Sequence, residues 1–307
     1  MTSFILRRLA VAIPTILALI VISFILMYSA PGTPFTTERA LPPEVMANLE
    51  AKYGLDQPFL VQLWRYVSGV VFAFDFGPSF LYKDRSVADI IRQGFPVTLT
   101  YGFWSFVVAA VVGITLGVLA AIYHNSWLDY LAVGVTVGAQ VLPNFVMAPI
   151  LVLVFTLWLG WLPGGGWQGG AWPYLVMPVI ALSTSYMASI ARLTRSSMLE
   201  TLNANFIRTA RAKGLPMRRV VIRHALKPAL LPVISYLGPT FVGMITGSVV
   251  IDIYFSTGGI GMFLVNAAFN RDYSIIMGIT ILTGVLTILF NLAVDVIYAW
   301  IDPKIRL

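Results

Sequence analysis

Apolar residues run along this chain in long blocks, and polar residues between them are confined to a few islands. The first block, Leu9–Ala30, holds 22 residues, enough for a hydrocarbon core of about 30 Å at roughly 1.5 Å per helical residue. Five further blocks lie at about Val97–Tyr123, Val133–Trp161, Pro173–Ala191, Leu230–Ile253 and Ile275–Ile301. The pattern predicts an all-α polytopic protein with six transmembrane helices. The third block is too long for one straight crossing and Pro143 divides it, so a kink is expected there, with Tyr130–Val141 partly interfacial. Arg7 and Arg8 ahead of the first block imitate a signal peptide. The length of the block, and Pro31 directly behind the small-residue pair Ser29-Ala30, favour a retained helix.

The islands orient the blocks. Residues 192–229 carry nine of the 20 Lys and Arg residues and a single acid, Glu200. If six spans alternate, this island falls on the same side as Arg7 and Arg8 and as Lys304 and Arg306. The positive-inside rule makes that side, with both termini, cytoplasmic. Residues 31–96 hold six basic and seven acidic side chains, and pieces such as Val61–Phe74 suggest short amphipathic helices in a small external cap. The chain thus divides into 1–30 (N-terminus and first span), 31–96 (cap) and 97–307 (core of five spans), with a cytoplasmic segment at 192–229. Leu162–Trp172 is a Gly- and Trp-rich loop. Met262–Phe269 is too short to span and is expected to be re-entrant or surface-lying.

Composition narrows the function. The 307 residues are 58% hydrophobic and 11% charged, against roughly 25% charged in soluble domains. The net charge of +7 sits mainly in one loop, which speaks for membrane lipid rather than nucleic acid. The absence of cysteine excludes disulfides, thiolate metal sites and thiol catalysis. There is no Gly-Lys-Ser/Thr phosphate loop, no His-Glu-x-x-His and no paired intramembrane aspartate. His124 and His224 lack a ligand at helical spacing and read as satisfied surface histidines. Nothing here hydrolyses ATP or a peptide bond, so energy must come from another chain.

Nine cations inside a bilayer would cost upwards of about 20 kcal/mol, so the central island lies outside it. It reads as a helix–turn–helix: Asn205 as N-cap, Phe206–Lys213 as a two-turn helix, Gly214 as left-handed C-cap, then Pro216 opening a second short helix, Met217–Leu226. Phe206, Ile207 and Ala210 form an apolar face on the first, and Val220, Val221 and Ala225 on the second. A lipid-bound helix displays bulky apolar residues. This one shows Thr209, Ala210 and Ala212, which admit close approach of a protein groove.

Phe206-Ile-Arg-Thr-Ala-Arg-Ala-Lys-Gly214 resembles the cytoplasmic docking motif of ATP-binding-cassette importer permeases. Arg208-Thr209-Ala210 stands at that motif's Glu-Ala-Ala positions and Gly214 at its glycine, with Arg208 replacing the acid. The Arg-Thr-Ala-Arg-Ala-Lys-Gly form looks like the peptide and nickel permeases. So do Phe4-Ile-Leu-Arg-Arg8, Pro31-Gly-Thr-Pro34, Gly259-Ile-Gly261, Arg271-Asp-Tyr273 and the end of the chain with Asn291, Asp295, Tyr298 and Asp302-Pro303. The cap sequence from Leu41 to Asn48 and the Pro163–Trp167 loop are most similar to oligopeptide-importing members. The resemblance implies half of a translocation pathway in a bacterial inner membrane. Its implied partners are a second homologous permease subunit, two cytoplasmic ATPases and a periplasmic peptide-binding protein. ATP and Mg would be used by those ATPases, and no cofactor is bound by this chain. Alternating access is implied, with Phe206, Arg208, Thr209, Ala210, Arg211 and Gly214 in the coupling contact. A dipeptide or nickel importer of the same family, and an ion-driven secondary transporter, are the alternatives.

Inside the spans, Gln140, Asn144, Ser183, Thr184, Ser185 and Thr240 form a polar, uncharged set that could line a path for peptides of varied sequence. Asp295 is the acid well within a span, and Asn291 lies one turn earlier on the same face. Both are read as structural polar groups tying the last helix to a neighbour.

Overall fold

The computed structural model describes residues 2–29 and 56–301. The expected cap piece from Pro31 through Gly54, and the tail from Asp302 with Lys304 and Arg306, lie outside the described residues. Among the described residues every regular element is helical, and the one extended pairing is an isolated bridge between Pro78 and Ser86. The elements are α1 (Thr2–Ser29), α2 (Phe59–Ser68), α3 (Val87–Ile122), α4 (Trp127–Val141), α5 (Asn144–Leu151), α6 (Trp172–Leu202), α7 (Asn205–Ala212), α8 (Leu226–Thr246), α9 (Val249–Tyr254), α10 (Ile260–Phe269) and α11 (Tyr273–Ile301). Five helical stretches are long and apolar enough to cross a membrane, and the pair α4 and α5 makes a sixth if its two arms form one broken span.

The break at Pro143 is a bend of 103° between Trp127–Val141 and Asn144–Trp158, much sharper than a kink. Leu142 and Pro143 are both extended, at ψ 110° and 152°, because a proline ring drives its predecessor out of the helical region. Helix α3 starts earlier than its apolar block suggests. Ser86 Oγ accepts the Asp89 backbone N–H at 3.1 Å and donates to Asp89 Oδ2 at 2.6 Å, a reciprocal cap that opens the helix before hydrophobicity begins. Helix α6 runs past the expected end at Ala191 to Leu202, since Met198 and Leu202 are buried on its continuation. The second short helix expected after Pro216 is not separate. A turn at Met217–Arg219 and a wide turn at Val220–Ala225 lead without interruption into α8. The wide turn ends just ahead of Pro228, whose ring lacks an N–H and crowds the carbonyl one turn back.

The chain forms two compact units. One comprises the described residues between Thr2 and Thr98 with Gly258–Ile288. Ile20, Val87, Ile90, Ile260, Ile275 and Ile279 make its core, and α10 is seated in it through Ile260 and Ala267. Buried Asp272 accepts Ser79 Oγ at 2.7 Å, the Phe80 and Leu81 N–H groups at 2.9 Å and the Ile275 N–H at 3.2 Å. One carboxylate thereby caps α11 and ties down the Ser79–Leu81 turn. The other unit comprises Leu99–Thr257 with the described residues from Leu289 onward. There α3 and α6 meet backbone to backbone. A Cβ placed on Gly113 would lie 2.8 Å from the Met187 carbonyl oxygen, and one on Gly117 2.5 Å from that of Ala191. Only glycine admits this approach.

Candidate functional site

The basic island builds a compact knob on the ends of α3 and α6. Helix α7 spans Asn205–Ala212, and its N-cap is Ala204 rather than Asn205, which is the first helical residue. Its C-terminus closes as a Schellman motif: Gly214 N–H donates to Arg211 O at 2.9 Å and Leu215 N–H to Ala210 O at 3.4 Å, with Gly214 at φ +75°. That left-handed turn is open to glycine without strain. Ile207 and Ala210 turn inward and join Ala121, Met198, Leu202, Val220, Val221 and Ala225 in one core. Phe206, expected on the same buried face, is half exposed. Its position, one residue from Ile207, rotates it about 100° away on the helix.

The outward surface of the knob therefore carries Phe206, Arg208, Thr209, Arg211, Ala212, Lys213 and Gly214, all exposed. Of the expected coupling residues, only Ala210 is buried, as part of the seat. Thr209 Oγ1 donates back to Asn205 O at 3.1 Å. The surface is cationic with Phe206 as an apolar centre, and it is held rigid from below by fully buried Ile207 and Val220.

Sequence reasoning missed the polar lock beside this seat. Asp129, in the first turn of α4, is 2% exposed. Arg195 on α6 grips it with both arms of its fork, Nε to Oδ1 at 2.7 Å and Nη2 to Oδ2 at 2.7 Å. The Asn125 backbone N–H donates to Oδ2 at 3.0 Å, and His124 Nδ1 lies 3.1 Å from the same oxygen. A forked Arg–carboxylate pair is the strong geometry for such a contact. It joins the α3–α4 corner to α6 at Arg195, one turn before Met198 of the knob's seat. The sequence held only a hint, an acid opening one apolar block and an arginine closing another, each costly unless paired; it did not say which partner each takes.

The polar residues within the spans are brought together only in part. Ser185 Oγ donates to Asn144 Oδ1 at 3.0 Å, linking α6 to the start of α5. Ser183 and Thr184 turn back to the Ile180 carbonyl, and Thr240 to that of Tyr236 at 2.7 Å. Such bonds satisfy a hydroxyl within its own helix. Ser183 and Thr240 are buried, whereas Gln140 is exposed. Asn291 is exposed on α11, and the side chain of Asp295 lies outside the described residues.

Comparison with known proteins covers both ends of the chain. Residues 113–307 match the family described as binding-protein-dependent transport system inner membrane component, and residues 1–102 its N-terminal component. The oligopeptide transport system permease protein OppB of Escherichia coli is 57% identical over 306 residues, covering 100% of both chains. That of Haemophilus influenzae is 55% identical over the same length. The dipeptide transport system permease protein DppB of Bacillus subtilis is 40% identical over 307 residues, covering 100% of this chain and 99% of its own. Among solved structures, the inward-facing MetNI methionine ABC transporter aligns with a TM-score of 0.59 at 19% identity, over 70% of this chain and 97% of that one. At that identity the likeness speaks for the fold alone.

Proposed function

The chain belongs to the binding-protein-dependent transport system inner membrane components, and from that premise we propose that it is the non-catalytic permease subunit of an oligopeptide importer. The observation that carries this reading is identity of 57% sustained from end to end with an oligopeptide permease. Energy for uptake comes from ATP and Mg handled by partner ATPases.

In this reading the basic knob faces the cytoplasm, where the positive-inside rule puts it. Its exposed residues Phe206, Arg208, Thr209, Arg211 and Gly214 enter a groove of an ATPase, and buried Ala210 holds them at the correct height. Closure of two such ATPases pulls α7, and the seat at Met198 and Leu202 passes that pull to α6. The chain acts with a second homologous permease and a periplasmic peptide-binding protein in a bacterial inner membrane. Residues 97–307 serve as the permease core, with residues 192–229 as its coupling segment. Asn144 and Ser185 are the best supported of the path-lining set, because their mutual hydrogen bond fixes two polar groups from different helices at one level. Gln140 and Thr184 extend the set, whereas Ser183 and Thr240, buried and bonded within their own helices, serve packing; Asn291 and Asp295 hold the last helix.

Deletion of the chain tests the substrate class. Cells lacking it should lose uptake of labelled tetra- and pentapeptides and regain it with the intact chain, while dipeptide and nickel uptake stay near normal. Loss of nickel uptake with peptide import intact would overturn the assignment.

A further inference from the structure

Helix α2 and the wide turn at Gly69–Ala73 that extends it carry a stripe of bulky apolar side chains with nothing over it among the described residues. Leu60 is 72% exposed, Trp64 70%, Phe72 83% and Phe74 74%, with Val61 and Val71 alongside. A patch of that kind is not left in water. Phe74 sits at φ +52° as the left-handed cap that closes this turn, and its ring stands outward.

The opposite face fixes the depth of the helix. Phe59 packs its ring on Tyr28 at 4.9 Å and on Phe24 at 5.9 Å, and Tyr66 lies 5.5 Å from Phe24. Phe24 and Tyr28 belong to the final turns of α1, whose apolar run from Leu9 already measures about 30 Å at 1.5 Å per residue. The helix therefore begins where hydrocarbon gives way to head groups. At that level Trp and Phe are at home, and a helix too short to span lies in the plane of the membrane.

We propose that Phe59–Phe74 is an interfacial helix whose Leu60, Trp64, Phe72 and Phe74 stripe is bedded in phospholipid, rather than an element of a water-exposed cap. Two observations favour lipid over a partner helix. Helix–helix contacts in membranes rely on small residues, and this stripe is built of large ones, with exposed Ala73 the exception. The Val61–Arg65 edge also opens on a cavity of about 350 Å³. Its lining passes from apolar Phe24 and Met27 to Arg65, Asp75 and the Tyr66 hydroxyl, which is buried with no hydrogen-bond partner among the described residues. Burial, and secondarily the Asp75 charge, push that phenol's pKa up and keep it a donor. A ligand apolar at one end and zwitterionic at the other, as a phospholipid is, matches that gradient.

The natural absence of cysteine makes the test direct. Leu60→Cys and Phe72→Cys, each carrying a nitrobenzoxadiazole label on the full chain, are reconstituted in phosphatidylcholine–phosphatidylethanolamine vesicles. Exposed Lys83→Cys is the control. The expected result is blue-shifted emission at both stripe positions, most of it lost when the acyl chains are brominated near the head group and retained in aqueous iodide. Lys83→Cys should behave in the opposite way. Quenching of the stripe by iodide would overturn the proposal, and so would protection from both quenchers, which would mean that protein covers it. Two separate positions guard against one labelled variant failing to insert.

Discussion

Gly214 shows how much one backbone angle carries. Its φ of +75° completes the turn that presents the knob, and nothing lies within 4 Å of the position a Cβ would take. The cost of a side chain is therefore strain without clash, about 1–2 kcal/mol. Gly214→Val should leave membrane insertion normal and cut peptide uptake several-fold, while Gly214→Asn, which tolerates left-handed backbone, should retain most uptake. Normal uptake by the valine variant in a transport assay would remove Gly214 from the coupling contact. The Asp129–Arg195 lock makes a different prediction. The side chain of its acid is 3% exposed and that of its arginine 26%, so removing the acid alone strands a partly buried cation, at about 2–4 kcal/mol. Asp129→Leu should lower the thermal unfolding midpoint in detergent more than Asp129→Leu with Arg195→Leu does. Strictly additive losses would mean that the two groups do not stabilise each other. Only one of the two could be weighted this way from sequence. Gly214 was legible because a glycine between Lys213 and Pro216 has a local reason to be there. Asp129 was not, because its reason is a side chain 66 residues away.

At the scale of elements, hydrophobic blocks located the helices but not their ends. The capping Ser86–Asp89 pair opens α3 ahead of its apolar block, and burial of Met198 and Leu202 carries α6 beyond its own. Pro143 was visible as an interruption, yet a proline states only that a helix is disturbed. The 103° bend follows from what each arm packs against. Glycine spacing has the same ambiguity. Gly113 and Gly117 are four residues apart, as are Gly134 and Gly138, yet the first pair is pressed against α6 and the second has nothing within 4 Å. Gly117→Ala should destabilise the purified chain by about 1–3 kcal/mol, since the atoms it meets are backbone of Ala191 and Arg195 and the Cβ of Thr194, none of which can turn aside. Gly134→Ala should be neutral or stabilising by up to about 1 kcal/mol, the helix propensity gained. Equal effects in thermal unfolding would show that the α3–α6 contact is looser than described.

For the whole molecule, the central consequence is that the chain has no energy source of its own. Purified alone it should hydrolyse no ATP and move no peptide in vesicles, and both activities should appear together when partner ATPases and the second permease are added. ATP hydrolysis by the lone chain would refute the permease reading. This much the sequence determined by itself: a helical membrane protein, its basic side, and the order of motifs that places it in its family. Those features are local or additive, being sums of transfer free energy along a block, net charge in a loop and residues in a fixed short spacing. Tertiary structure alone decided that Phe206 faces out while Ile207 and Ala210 face in, that Asp129 and Arg195 lock the seat of the knob, and that one glycine pair is filled while another stands open. Each of these depends on which distant surface arrives at a position. A pattern along the chain cannot encode that, because the same residues satisfy it whether or not the partner comes.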